Sequence, residues 1–182
     1  MPPEEGKPSF WHELWELIRV LLISLVVVIP IRVFIAQPFI VKGASMEPNF
    51  YNGEYLIVDQ LSFRLRSPES GEVIILRYPL NPSVFYIKRI VGLPGETVII
   101  RKGKVSVRKG EGAETALNEF YLPQDVVTAP DRAVTLASDE YFVLGDNRLN
   151  SSDSRVWGVL KENFVVGRAL VRLWPLTKIG VL

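Results

Sequence analysis

Phe85-Tyr86-Ile87-Lys88-Arg89-Ile90-Val91-Gly92-Leu93-Pro94-Gly95-Glu96-Thr97-Val98-Ile99-Ile100-Arg101 holds two runs of β-branched and aromatic residues around a Leu-Pro-Gly break. Such runs favour strands, and Pro-Gly sets a turn between them. Outward from this pair the pattern repeats. Further strands are predicted at Phe39–Lys42, Tyr55–Gln60, Glu72–Arg77, Lys104–Arg108, Glu140–Leu144 and Val165–Leu173. Breakers fall at Asn52-Gly53, Ser70-Gly71, Asn81-Pro82, Lys102-Gly103 and Gly145-Asp146-Asn147. Helical periodicity is scarce, so the expected fold class is mainly β and antiparallel. The polar stretch 110–129 reads as a loop or small insertion.

The N-terminal part has a different character. Val20 to Ile31 (VLLISLVVVIPI) contains no charge, and Leu14 to Ile31 contains only Glu16 and Arg19. Eighteen helical residues at about 1.5 Å each cover roughly 27 Å, against a hydrocarbon core of about 30 Å. Phe10, Trp11 and Trp15 form an aromatic belt on one side, and Arg32 can snorkel on the other. Leu21 to Ile29 is apolar on every face except at Ser24, unlike a half-exposed amphipathic helix. A cleaved leader would start with a basic segment, whereas this one is Glu-rich. The expected organisation is a tail at 1–13, a single transmembrane anchor at 14–32 and a catalytic β domain at 33–182, with about 102–135 a variable insertion.

Composition narrows the chemistry. The 182 residues are 48% hydrophobic and 23% charged, with a net charge of +1 and no basic block of the kind nucleic acid requires. No nucleic-acid partner is expected. There is no cysteine, so thiol nucleophiles and Cys-ligated metals are out. The one histidine, His12, precedes the apolar run and Ser45 follows it, so a membrane span keeps a Ser-His-Asp triad from assembling. A hydrolase built from this chain needs a hydroxyl nucleophile and a base other than histidine. Lysine can serve where burial lowers its pKa. No cofactor and no metal are expected.

Two segments meet that need. Gly43-Ala44-Ser45-Met46-Glu47-Pro48 sets a serine behind two small residues, which let a substrate backbone approach, and ahead of a proline that stiffens the turn. Strand alternation puts Lys88 on the face of Tyr86 and Ile90 while Arg89 points away, so Lys88 can lie in apolar surroundings. Taken singly, a serine in a turn is more often structural, and a strand lysine more often marks an exposed edge.

Together these segments carry a resemblance. Gln37-Pro38-Phe39 with Gly43–Pro48, then Tyr86–Glu96, then Gly145-Asp146-Asn147-Arg148 with Asn150–Arg155 and Trp157-Gly158, resemble the successive signature boxes of type I (leader) signal peptidases. That family consists of membrane-anchored serine endopeptidases using a Ser/Lys dyad, on a β fold shared with self-cleaving SOS repressors. The resemblance implies that Ser45 is the nucleophile and Lys88 the general base. It implies that Ser151 orients the lysine amine, that Asp153 and Arg155 form a supporting pair, and that Asp146 engages Arg89. Phe39, Val41, Met46, Phe50 and Ile87 match positions lining shallow apolar S1 and S3 pockets, suited to small residues at −1 and −3 of the cleavage site. Gly43 stands where some members place an oxyanion-binding serine, so only the Ser45 backbone N–H can be named as a donor. Asn49-Phe50 replaces the common Thr-Leu, implying a bulkier wall.

The implied partners are signal peptides of secreted preproteins, membrane lipid and, transiently, the export translocon. The implied location is a bacterial-type plasma membrane, single-pass, with the catalytic domain on the extracytoplasmic side; an internal membrane such as a thylakoid is the alternative. A self-cleaving repressor would need an N-terminal DNA-binding domain where this chain has its apolar run. A non-catalytic peptide-binding module would be free to lose Ser45 or Lys88.

Overall fold

The computed structural model describes residues 10–30 and 36–182. The chain separates into two compact units, Met1–Ala36 and Gln37–Leu182. In the first, α1 spans Phe10–Pro30, starting a turn before the apolar run. Phe10, Trp11, Trp15 and successive residues from Val20 to Val28 are exposed, so the helix presents apolar side chains on all sides. Its first half also carries Glu13, Glu16 and Arg19, and His12 Nε2 lies 3.7 Å from Glu16 Oε1. Among the described residues no helix is long and apolar enough to cross a membrane. Residues 31 and 32 of the expected 14–32 anchor lie outside the described residues, as do most of the expected tail and residues 33–35.

The second unit is built from antiparallel strands. β1 (Ala36–Ile40), β2 (Tyr55–Asp59), β3 (Val73–Tyr78), β4 (Asn81–Gly92) and β5 (Glu96–Arg101) come first. They are followed by β6 (Lys104–Lys109), β7 (Thr115–Ala116), β8 (Arg132–Thr135) and β9 (Glu140–Leu144). The short β10 (Leu160–Lys161), the long β11 (Val165–Trp174) and β12 (Gly180–Val181) end the chain. The larger sheet runs β1-β2-β11-β3-β4-β9-β10, with β12 also on β11; the smaller runs β7-β6-β5-β8.

The structure departs from the sequence reading in several places: β1 lies at Ala36–Ile40 rather than Phe39–Lys42, and the short β7, β8, β10 and β12 are not among the expected strands. Asn81-Pro82 does not end a strand: the chain reverses at Pro79-Leu80, and Pro82 lies inside β4. The register jumps from Arg77↔Phe85 to Tyr78↔Asn81, so Pro82 sits in a bulge where its missing N–H costs no ladder bond. The 102–135 stretch holds three strands of the smaller sheet, and its irregular part is tied down by Leu117 N–H to Val105 O (3.0 Å) and Thr128 N–H to Gly103 O (2.9 Å).

Apolar burial forms three clusters. One gathers Val41, Met46, Phe50, Leu56, Val58, Val73, Ile75, Ile87 and Ala169, between the Ser45 loop and the larger sheet. A second joins the two sheets through Val91, Val98, Ile100, Val105, Leu136, Phe142 and Leu144. The third comprises Ile74, Leu76, Ile90, Tyr141, Val143 and Leu160. β4 feeds all three, with Ile87 in the first, Val91 in the second and Ile90 in the third. A strand so gripped is a rigid platform for whatever projects between those residues.

Candidate active site

Ser45 lies on the tight loop 43–50 between β1 and β2. Gly43 enters that loop at φ +87, a conformation L side chains rarely adopt, and its N–H donates to Asn52 Oδ1 at 3.0 Å. Inside the loop, Asn49 and Phe50 N–H both donate to Met46 O, at 3.0 and 2.9 Å. Met46 and Phe50 are buried and anchor the loop in the first cluster. Ser45 is thereby held on a loop pinned from below.

Lys88 stands in the middle of β4, opposite Ile74 on β3, and is only 3% exposed. Its Nζ donates to Ser45 Oγ at 2.7 Å and to Ile87 O at 2.8 Å, and lies 5.1 Å from the centre of the Tyr86 ring. Burial, which disfavours the ammonium form, lowers its pKa from 10.5 to about 8; the charges of Asp153 and Asp146 act in the opposite sense. A lysine that neutralises near pH 8 beside a hydroxyl at hydrogen-bond distance can accept that hydroxyl's proton along the line already formed. Such an arrangement can make a hydroxyl nucleophilic without any histidine.

Two buried ion pairs flank these residues. Arg89 Nε and NH2 donate to the two Asp146 oxygens at 2.9 and 2.6 Å, and the Arg89 guanidinium lies 4.0 Å from the Tyr121 ring centre. Asp153, wholly buried, accepts from Arg155 Nε and NH2 at 2.8 Å each and from Gly145 N–H at 3.0 Å. Burial alone would raise the Asp153 carboxyl, but the Arg155 guanidinium and the Gly145 N–H outweigh it and hold it below the ordinary value. Gly145 is pressed against the site: a Cβ there would lie 2.1 Å from Ser151 Oγ and 2.5 Å from Ser45 O. Only glycine lets these segments close up.

Ser151 makes no hydrogen bond to Lys88 in this arrangement. Its Oγ is buried with no hydrogen-bond partner among the described residues, and the two bonds of Lys88 go to Ser45 and the Ile87 carbonyl instead.

A groove of about 740 Å³ runs up to Ser45 and Lys88 between the segments 38–45 and 83–88. Phe39, Val41 and Ile87 line it, with Leu56 and Ile75 at its floor. Met46 and Phe50 do not line it, since both side chains turn into the first cluster; Phe50 lies beneath the Arg172 guanidinium, 4.9 Å from its ring centre. The bulkier wall expected from Asn49-Phe50 is therefore core packing. Sequence reasoning also passed over Asn147, whose N–H donates to Ser45 O and whose Nδ2 donates to Ala44 O, each at 3.0 Å. Its place in a Gly-Asp-Asn turn was the available signal. Among the described residues no group of three acidic, His or Cys side chains could hold a metal ion.

A family model and two relatives point to one family. A model described as signal peptidase, peptidase S26, matches residues 14–174. A probable signal peptidase I-2 of Synechocystis sp. is 36% identical, the alignment covering 100% of this chain and 79% of the relative. A signal peptidase I of Leptolyngbya laminosa is 34% identical, covering 99% of this chain and 89% of the relative. A crystal structure of a signal peptidase I from Enterococcus faecalis V583 is 28% identical, with a TM-score of 0.46 over 57% of this chain and 97% of that one. The chain belongs to the signal peptidase family, peptidase S26, and is a serine peptidase.

Proposed function

We propose that this chain is a membrane-anchored endopeptidase that removes signal peptides from exported preproteins, with Ser45 as nucleophile and Lys88 as general base. The observation that carries the reading is the 2.7 Å contact of a nearly fully buried lysine amine with a serine hydroxyl at the end of an apolar groove. Neutral Lys88 takes the Ser45 proton as Oγ attacks the scissile carbonyl. The tetrahedral intermediate collapses to an acyl-enzyme while Lys88 returns the proton to the leaving amine, and a water activated by the same amine then hydrolyses the ester. The Ser45 N–H is the proposed oxyanion donor, while the Gly43 N–H is committed to Asn52. Asp146–Arg89 and Asp153–Arg155 support the site as ion pairs. The unpartnered Ser151 hydroxyl is proposed to meet the lysine amine once Ser45 is acylated.

The substrate lies extended in the groove, adding a strand between segments 38–42 and 85–88. Phe39, Val41 and Ile87 meet its side chains directly, and Met46 and Phe50 support the loop from behind. A groove backed by close-packed core suits small residues at −1 and −3. Anchoring rests on the uncharged run Val20 to Ile31 and on a helix exposing apolar side chains all round. The proposed location is a bacterial-type plasma membrane, single-pass, with the β domain extracytoplasmic, in contact with lipid and near the export translocon; membership of the signal peptidase family supports it.

The test is processing of a purified precursor bearing an Ala-x-Ala site by the full-length chain in detergent, with the new N-terminus sequenced. Ser45→Ala and Lys88→Met each abolish cleavage with unfolding transitions intact; full activity in either variant overturns the dyad.

A further inference from the structure

Asn49 uses both hydrogens of its amide and its backbone carbonyl. Its Nδ2 donates to Asp146 Oδ2 and to Tyr121 O, at 2.8 Å each. Its carbonyl accepts from Arg172 NH2 at 2.6 Å, and that guanidinium lies over the Phe50 ring and 2.9 Å from the buried Glu54 carboxylate. Residue 49 is four positions after Ser45 on the same loop. Asp146, which receives the Asn49 amide, also receives both Arg89 donors, and Arg89 directly follows Lys88 on β4.

Besides the Asn147 bonds to Ser45 and Ala44, two links join Ser45 and Lys88. One link is their own 2.7 Å contact; the other runs along the loop to Asn49, across to Asp146 and Arg89, and back to Lys88 through the strand backbone. The second link does not depend on the protonation state of the lysine or on whether Ser45 carries an acyl group. Through Tyr121 it also fastens the segment between β7 and β8 to the nucleophile loop, a job reinforced by the Arg89 guanidinium stacked 4.0 Å from the Tyr121 ring centre.

We infer that Asn49 is a positioning residue which holds the Ser45 loop in register with the Lys88 strand through Asp146 and Arg89. This rests on the Ser45/Lys88 reading above. Asn49 touches neither substrate nor reacting atoms: it does not line the groove. Its loss therefore acts on turnover and leaves substrate binding alone. Displacements of about 1 Å at reacting atoms lower rates by up to about a hundredfold.

The experiment compares the full-length chain with Asn49→Leu, which keeps the branched shape and number of heavy atoms but removes both donors, and with Asn49→Ser, which removes the amide while leaving a small polar side chain. Steady-state cleavage of the precursor is measured with the thermal unfolding midpoint of each variant. The expected result is kcat lowered about ten- to a hundredfold, KM within about twofold, at temperatures where the variant is fully folded. Where the leucine variant does not fold, the serine variant carries the test. Wild-type kcat in either folded variant, or a loss confined to KM, overturns the inference. Ser45→Ala is run in parallel: activity there removes the dyad, whereas an inactive Ser45→Ala beside fully active Asn49 variants removes only the positioning role.

Discussion

Acidification is the perturbation that tests the buried lysine most directly. With the Lys88 pKa lowered to about 8 by burial, the neutral base amounts to about half of the enzyme at pH 8 and about a tenth at pH 7. At the ordinary lysine value of 10.5 the neutral fraction at pH 8 would be on the order of a hundredfold smaller. kcat/KM is therefore expected to fall on the acid side with unit slope and a midpoint near pH 8. The same depression has a thermodynamic counterpart. Because the folded pKa lies below the unfolded one, the unfolded chain holds the extra proton between pH 8 and 10.5, and stability rises with pH across that window. Below pH 8 the full cost is present, about 3 kcal/mol at 1.36 kcal/mol per pH unit. Lys88→Met removes it, so the variant's stability relative to wild type should be about 3 kcal/mol more favourable at pH 7 than above pH 10.5. The assays are kcat/KM for precursor cleavage from pH 6 to 9.5 and urea unfolding of both full-length chains across the alkaline range. A flat acid limb, or one centred near 10.5, together with a pH-independent stability difference, would refute the placement of a desolvated amine beside Ser45.

Two further changes probe how the site is held. Gly145→Ala drives a methyl group to within 2.5 Å of Ser45 O and 2.1 Å of Ser151 Oγ. Overpacking of this kind costs about 1–3 kcal/mol, and displacement of the serine should lower kcat far more than it raises KM; unchanged kinetics would show that the two segments have slack. Asp153→Ala strands the Arg155 guanidinium, which is almost wholly buried, and should cost about 3–5 kcal/mol at neutral pH, read as a lowered urea midpoint. Since the folded Asp153 pKa lies below its ordinary 3.8, that contribution is present above this value and lost as pH falls through the lower folded one, so the gap between variant and wild type should narrow in strong acid.

Much of the fold is written in local pattern. Alternation in Tyr86–Val91 and Glu96–Arg101 and the Leu93-Pro94-Gly95 break place β4 and β5 closely, because strand periodicity and turn chemistry act over a few residues. β7 and β8 escaped because they are only two and four residues long, too short to show a strand pattern, and they are strands only through pairing with β6 and β5. Pro82 read as a breaker because nothing local reveals that a bulge will absorb it. Among site residues, Arg89 and Asp146 meet as the family resemblance implied, but Met46 and Phe50 were expected to line the groove and instead fill the core. Which way a loop side chain turns depends on what the rest of the chain packs beneath it.

The sequence by itself determined which chemistry was open: without cysteine, and with its one histidine ahead of the apolar run, the chain is left with hydroxyl, amine and carboxylate groups. Composition is a property of the chain and survives any fold. Only the tertiary structure decided that Ser45 and Lys88, 43 positions apart, stand 2.7 Å from each other. It alone decided too that the lysine is desolvated enough to neutralise near pH 8, since desolvation comes from the β strands and loop closed around it. A lysine in a strand is an ordinary cation until those neighbours exclude water from it.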